Sequence, residues 1–338
     1  MLSTRALNRA LLARQLLLQR STLSLEGAVE QIGGMQTQYA PSGYVGLWTR
    51  LREFRRDSLT EALANHSVVQ GTLLRTTIHM VTAREFWRFA IGVRRARREW
   101  AARVRALPGE AELRRRSEAL RAALADGPRT VKELEGLAGG FIGNLGLWVD
   151  LVRVPPSGTW ERRRADRLAL AEDWVGPPDV TEDEGLAHLV RAYLRAFGPA
   201  PWRDIAAWAG LPVGDARRGG AGLVLERYRG ENGIELVDLP GAPLPDPGVP
   251  APVRFLAHWD NAMLVHARRS GILPEAHRTL IFNTKNPFSL GTVLVDGRVV
   301  AGWSYRERRV ELTWYEGIRT RDARDVETER EALEAFHA

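Results

Sequence analysis

The chain copies part of itself, and that repeat constrains its fold more than any other feature. Gly127-Pro128-Arg129-Thr130-Val131-Lys132-Glu133-Leu134 aligns with Gly198-Pro199-Ala200-Pro201-Trp202-Arg203-Asp204-Ile205 at an offset of 71 residues. Both carry a Gly-Pro break and an acid followed by an aliphatic, and both close on a glycine, Gly139 or Gly210. A repeat of this length is a copied small domain and not a solenoid turn. A long helical pattern leads into each copy, over 111–125 and 182–196. The break, a short helix, a glycine turn and a second short helix follow. Then comes a strand pair: Leu151–Val154 with Trp160–Arg163, and Leu223–Arg229 with Gly233–Leu239. This is the order of a winged helix-turn-helix. Capping boxes at Thr82/Glu85, Thr130/Glu133 and Thr181/Glu184 mark helix starts.

The first ninety residues follow the same plan. Helices are expected over Thr4–Gln19, Leu25–Gly33 and Leu59–His66, and a strand pair over Val68–Leu74 and Thr76–Val81. Between Pro240 and Pro252, six of thirteen residues are proline, which marks a linker. Beyond it the expected strands are Val253–Leu256, Ala262–Val265, Thr279–Phe282, Thr292–Val295, Arg298–Tyr305 and Val310–Tyr315, with a closing helix from Arg321. Six short strands with no helix between them predict a small barrel. The expected class is therefore α+β: three tandem winged-helix domains (1–90, 91–170, 171–240) and a C-terminal β-barrel domain (253–338).

The chain has no cysteine, which removes disulfides, thiolate catalysis and Cys-ligated metals. No apolar run is long enough for a membrane helix, and arginines interrupt the N-terminal apolar stretch, so no secretory signal is read and the cytoplasm is the expected compartment. No GxxxxGK[ST], GxSxG or paired-carboxylate pattern supports nucleotide hydrolysis or metal-dependent strand cleavage. The formal charge is +7, from 48 basic and 41 acidic residues, and only Lys132 and Lys285 are lysine. Twelve arginines and five acids fall between Arg84 and Arg121. Such a stripe fits a polyanion such as nucleic acid, or a solvated helix face; composition leaves these two readings level.

Several residue groups could carry chemistry. Gln36-Thr37-Gln38 follows Gly33-Gly34, and its two amides share a side of an extended segment. Two amides can hold a water between an acceptor and a donor, although by spacing alone a polar turn is the commoner source of such a pair. Arg75, Thr77 and His79 are expected on one strand face, poised for a phosphate or merely solvated. Arg153, Ser157 and Trp160 belong to a wing tip with an exposed hydroxyl and an aromatic ring; an ordinary hairpin with a core tryptophan is the competing reading. Arg268, Arg269, Lys285 and Asn286 fall in barrel loops where phosphate contacts fit. His258, Asp260 and His266 are too few for a dedicated metal site. No metal or cofactor is expected.

The segments Leu73-Leu-Arg-Thr-Thr-Ile-His-Met-Val-Thr82, Arg153-Val-Pro-Pro-Ser-Gly-Thr-Trp160, Leu194-Arg-Ala-Phe-Gly-Pro199 and Leu294-Val-Asp-Gly-Arg298 resemble the AlkZ/YcaQ family of winged-helix DNA glycosylases. The resemblance runs over nearly the whole chain and in the family's order. It implies three winged helices and a barrel arched around duplex DNA. It also implies excision of bulky or crosslinked alkylpurines, in general repair or in self-resistance to DNA-alkylating natural products. The family's catalytic signature is Gln-x-Gln or Gln-x-Asp around an apolar residue. Gln36 and Gln38 match the first form, with Thr37 as a departure in the middle. The implied reaction suits a cationic purine, already a good leaving group, whose sugar needs a placed water. With two lysines, a Schiff-base lyase step is not expected, so the implied enzyme is monofunctional, monomeric and specific for damaged double-stranded DNA. A winged-helix transcription regulator and a catalytically silent DNA-binding relative remain as alternatives.

Overall fold

In the computed structural model, which describes residues 1–105, 107–138, 146–264, 271–282 and 290–338, serines start the first two helices. Ser3 caps α1 (Thr4–Arg14) through the Ala6 N–H, and Ser24 caps α2 (Leu25–Gln31) through the Gly27 N–H, each at 3.1 Å. Gly33 and Gly34 then take φ of 77° and 75° and turn the chain into β1 (Met35–Gln36). A side chain at Gly34 would press on β3 (Ile78–Thr82), its Cβ lying 2.9 Å from Val81 Cγ1. The elements α3 (Pro41–Trp48), α4 (Arg56–Ala64) and β2 (Val68–Thr72) complete the N-terminal part.

The 22-residue α5 (Ala83–Val104) leads to α6 (Glu110–Leu124), β4 (Arg129–Thr130), α7 (Val131–Ala138), β5 (Leu151–Arg153) and β6 (Arg167–Leu170). The strands of the first two expected units merge into one sheet, ordered β1-β3-β2-β5-β6-β4 and antiparallel throughout. The seam is β2 against β5, with Gln70 opposite Arg153 and Gly71 opposite Val152. After α8 (Ala171–Val175), a third group follows: α9 (Glu182–Phe197), α10 (Trp202–Ala209), α11 (Val213–Gly220) and the hairpin β7 (Glu226–Arg229) and β8 (Glu235–Asp238). Helices α5 and α9 cross where Gly92 meets Gly185; a Cβ on Gly185 would lie 2.6 Å from the Gly92 nitrogen. That approach lets Phe86, Phe89 and Val93 pack with Leu186, Leu189 and Tyr193 in the largest apolar core.

The C-terminal part departs from the expected barrel. Among the described residues its sheet has four strands, β9 (Arg254–Leu256), β10 (Gly291–Val295), β11 (Arg298–Arg306) and β12 (Arg309–Trp314), in the order β12-β11-β10-β9, and it is open. Two of the expected strands are single helical turns, α12 (Asn261–Leu264) and α13 (Arg278–Ile281). The Asp260 carboxylate accepts the Ala262 N–H at 2.9 Å and so starts α12. A four-residue apolar run has no period long enough to tell strand from helix. Helix α14 (Thr320–His337) closes the chain. Among the described residues no helix is long and apolar enough to cross a membrane.

Two smaller expectations also change. The strand expected over Trp160–Arg163 is part of a longer loop, and β6 replaces it. Ser157 Oγ accepts from the N–H groups of Asp166 and Arg167 at 2.7 and 3.1 Å and donates to Arg164 O at 2.8 Å, which holds the loop shut. The capping boxes at Thr130/Glu133 and Thr181/Glu184 form, but Thr82/Glu85 does not. Thr82 donates instead to Glu30 at 2.7 Å, and Arg195 reaches Glu85 at 3.1 Å.

Two buried ion pairs tie the N-terminal helices to distant segments. Arg14 binds Asp238 through two bonds of 2.7 Å, and Arg50 binds Asp260 through two of 2.8 Å. Bidentate geometry gives each guanidinium a bonded counter-charge in a place water does not reach, although Arg50 Nε keeps no acceptor.

Candidate active site

The first edge strand of the large sheet carries the Gln-x-Gln pair. In β1, Gln36 lies opposite His79, and the Thr37 N–H extends the pairing to Ile78 O at 2.8 Å. Thr37 is buried, and a Cβ on Gly43 would lie 3.2 Å from its methyl group, so it faces the core. Gln36 and Gln38 are therefore on the other side. Gln36 is buried and Gln38 exposed. Each amide oxygen is held by one donor. Arg75 Nη2 reaches Gln36 Oε1 at 3.3 Å, and the Ile78 N–H reaches Gln38 Oε1 at 3.2 Å. A carbonyl oxygen has two lone pairs, so each glutamine still offers an acceptor site beside its amide N–H groups. Every Asp and Glu of the chain is among the described residues, and among these no carboxylate hydrogen-bonds to either glutamine.

Arg75 arrives here by a different route from the one expected. It is not on a strand face with Thr77 and His79. It sits in the turn between β2 and β3, where Arg75 and Thr76 take φ of 51° and 59°. Left-handed backbone at two successive non-glycine residues is costly, and the Glu307–Arg308 turn between two C-terminal strands takes it too. The Arg75 guanidinium also donates to Trp208 O in α10. Gly210, the closing glycine of the repeat, takes φ +73°, and a Cβ there would lie 3.3 Å from the Arg75 nitrogen. The second copy of the repeat thus supports the turn that delivers Arg75 to Gln36.

His79 Nδ1 donates to Thr77 O at 3.1 Å, leaving Nε2 as an acceptor. Burial, then repulsion from Arg75 and Arg97, pushes this histidine down to about 3, so it is neutral at physiological pH. Arg153, at the end of β5, donates to Thr72 Oγ1 at 3.0 Å. Burial lowers Arg75, Arg97 and Arg153 to about 10, still fully charged at neutral pH.

A family model for DNA glycosylase AlkZ-like proteins matches residues 29–336. The chain belongs to the AlkZ-like DNA glycosylase family. Among solved structures, Streptomyces sahachiroi DNA glycosylase AlkZ is similar to it, with a TM-score of 0.82 at 19% identity, covering 99% of this chain and 96% of that one. At that identity the likeness is one of fold. No curated protein matches the chain.

The other expected site residues of this AlkZ-like chain are distributed unevenly. Gln36, Gln38, Arg75, Thr77 and His79 come together at one sheet edge, and Arg153 lies two strands away. Ser157 and Trp160 are not exposed as expected. The Ser157 hydroxyl is occupied inside its loop, and Trp160 is 6% exposed, edge-on to Tyr44 and Phe336. Arg268, Arg269, Lys285 and Asn286, with His266, lie outside the described residues. His258 packs against Tyr39 and Trp303, and Asp260 is engaged by Arg50.

The basic stripe is largely neutralised. Of its twelve arginines, seven (84, 94, 95, 114, 115, 116 and 121) are ion-paired, several with acids from distant segments. One member that counting could not single out is Arg97. It lies four residues after Val93 and four before Ala101, within the buried row of α5. An arginine in that register was the available signal.

Proposed function

We propose that this AlkZ-like chain hydrolyses the N-glycosidic bond of purines carrying a cationic N7 or N3 alkyl group in double-stranded DNA. Its substrates on this reading are bulky adducts or interstrand crosslinks, met in repair or in self-resistance to a DNA-alkylating natural product. The observation that carries it is the glutamine pair: two amides on one side of an edge strand, each oxygen steadied by one donor, with no carboxylate bonded to them. Such amides orient a water at C1′ without abstracting its proton strongly. That suffices when the base leaves as a neutral molecule from a cationic precursor. The chemistry favours activated lesions and a monofunctional enzyme acting as a monomer.

On the same reading the chain is three tandem winged helices, over 1–90, 91–170 and 171–240, followed by the C-terminal sheet unit at 253–338. The α9–α11 group with its hairpin supports the third unit, whereas the strands of the first two join in one sheet and α5 runs across residue 90. Arg75, Thr77, His79 and Arg153 line the DNA side beside the glutamines, and Arg268, Arg269, Lys285 and Asn286 add phosphate contacts.

The test is a duplex with a single N7-alkylguanine, scored as abasic-site breaks after hot alkali. Gln38→Ala should lower single-turnover excision by about 10²–10⁴-fold while binding persists. Equal rates for wild type and variant, or no excision of simple and crosslinked lesions alike, would reject the proposal.

A further inference from the structure

Three arginines at or near the glutamine pair have no carboxylate bonded to them; Asp150, which attracts Arg97 from farther off, is bonded to Arg94. Among the described residues, which include every Asp and Glu of the chain, no carboxylate lies within ion-pairing distance of Arg75, Arg97 or Arg153. Their hydrogen bonds go to neutral oxygens. Arg75 uses Trp208 O and Gln36 Oε1, Arg97 uses Gly146 O at 3.3 Å, and Arg153 uses Thr72 Oγ1. The Nε atoms of Arg97 and Arg153 are buried with no acceptor, as is that of Arg50, so the missing carboxylate is what sets them apart. Arg97 is 6% exposed. Elsewhere this chain matches its enclosed guanidiniums to carboxylates, as at Arg14 and Arg50. Buried cations without counter-charge are costly unless something else supplies the charge.

These groups border a space. Arg75 and Arg97 line a cleft of about 480 Å³ between α5 and the turn after α10, with Arg103 and Trp100 at its mouth and Leu211 and Pro212 on the opposite wall. Glu99 also borders it but is paired with Arg95 at 2.9 Å. Arg103 is exposed, so the positive lining continues from the protein interior to the solvent. The strained turn at Arg75 and Thr76 forms one side, which ties the cleft directly to Gln36.

We propose that this cleft is a phosphate cradle: Arg75 and Arg97, backed by Arg153, take a backbone phosphodiester of the damaged strand next to the lesion sugar. The inference rests on the glycosylase reading and specifies how the site holds its substrate. Electrostatics favours this ligand over the lesion base. A cationic purine and an oxocarbenium-like sugar are both repelled by three guanidiniums. A phosphodiester neutralises them, fits the planar guanidinium fork and places its own negative charge beside the developing sugar cation. The apolar wall keeps water away and strengthens that contact. Arg75 then has two tasks, since the guanidinium that meets the phosphate also steadies Gln36.

Duplexes with one N7-methylguanine are made with a single neutral methylphosphonate placed in turn at each flanking phosphate, and single-turnover excision is measured for wild type, Arg97→Gln and Arg97→Lys. One position should slow the wild type by about 10–100-fold, as expected for a lost charge-assisted contact. Arg97→Gln should slow the unmodified duplex by a similar factor, and Arg97→Lys by less. The neutral position should add nothing further to Arg97→Gln. Additive losses, or a scan with no sensitive position, overturn the cradle. The scan on wild type needs no folded variant. If the wild type excises nothing, the glycosylase reading fails by itself, and the cradle is judged by binding to undamaged duplex. Arg97→Gln, or Arg103→Gln at the mouth, should then lower the slope of log affinity against log salt by about one; an unchanged slope overturns it.

Discussion

Arg50 and Arg97 are both buried guanidiniums, and the fold treats them in opposite ways. Arg50 meets Asp260 through two bonds of 2.8 Å, with Gly46 O and Gln15 Oε1 also accepting from it. Arg97 meets one carbonyl at 3.3 Å and no carboxylate within ion-pairing distance. The Nε of both arginines is buried without an acceptor, so the difference lies in the counter-charge. The first arrangement bonds its carboxylate, and it joins the end of α3 to the segment before α12. The second bonds none, and it lines the open cleft with Arg75. A buried charge whose counter-charge is bonded in the chain belongs to the architecture, whereas one without a bonded anion indicates where an anion is to come from.

The sharpest way to break this contrast is to unpair the complete site. Asp260→Ala strands Arg50 and should destabilise the fold by about 3–5 kcal/mol, read from the urea midpoint. Arg97→Gln removes a charge that has no bonded carboxylate, so the unfolding free energy read from the urea midpoint should stay level or rise by up to about 1 kcal/mol. If Arg97→Gln were as damaging to stability as Asp260→Ala, Arg97 would be structural and the contrast would fail.

A second test uses protons. His79 and His188 are each held near 3 in the folded chain, chiefly by burial and then by neighbouring arginines, against about 6.5 when unfolded. Between those values the unfolded chain carries the extra proton, so acid favours unfolding. Stability from these groups should be flat above about pH 6.5 and fall below it by up to about 1.4 kcal/mol per pH unit for each histidine. Arg97→Gln removes one repulsive charge from His79 and should make the fall shallower. An identical acid profile in wild type and variant would show that the unpaired cations do not reach His79. The excision rate should show no inflection near pH 6–7 arising from His79.

A more local test concerns the turn that presents Arg75. Gly210→Ala places a methyl at φ +73° and 3.3 Å from the Arg75 nitrogen, which should cost about 1–2 kcal/mol of stability. Excision should fall further than this loss explains, because the displaced guanidinium steadies Gln36. A loss of stability with unchanged excision by the folded protein would separate the turn from the site.

Much of the fold was legible because its signals are local. The capping boxes at Thr130 and Thr181 satisfy helix donors three residues away, and the glycine-flanked turn at 230–233 joins the expected hairpin. The repeat correctly located helix, break, helix and hairpin in its second copy. Thr82/Glu85 carried the same spacing and failed, since Glu30 and Arg195 compete for those side chains from across the fold. The barrel failed at Ala262 and Thr279 because an apolar run of four residues has no readable period. Ser157 and Trp160 looked like an exposed wing tip because hydroxyls and aromatics occur equally in tips and in closed loops.

The candidate site was legible only in its first members. Gln36 and Gln38 stood out through a resemblance, since Gln-x-Gln by spacing alone is common. The sequence by itself determined several helix starts, that no thiol chemistry is available, that a similar segment recurs at residues 127 and 198, and that arginine concentrates near residues 84–121. Only the tertiary structure decided which of those arginines are neutralised. Ion pairing depends on distances of a few ångströms between residues that are often far apart in sequence, whereas a charge count along the chain sees only neighbours. The same physics brought Arg75, on a strained turn, to Gln36 and left Arg97 without a bonded acid.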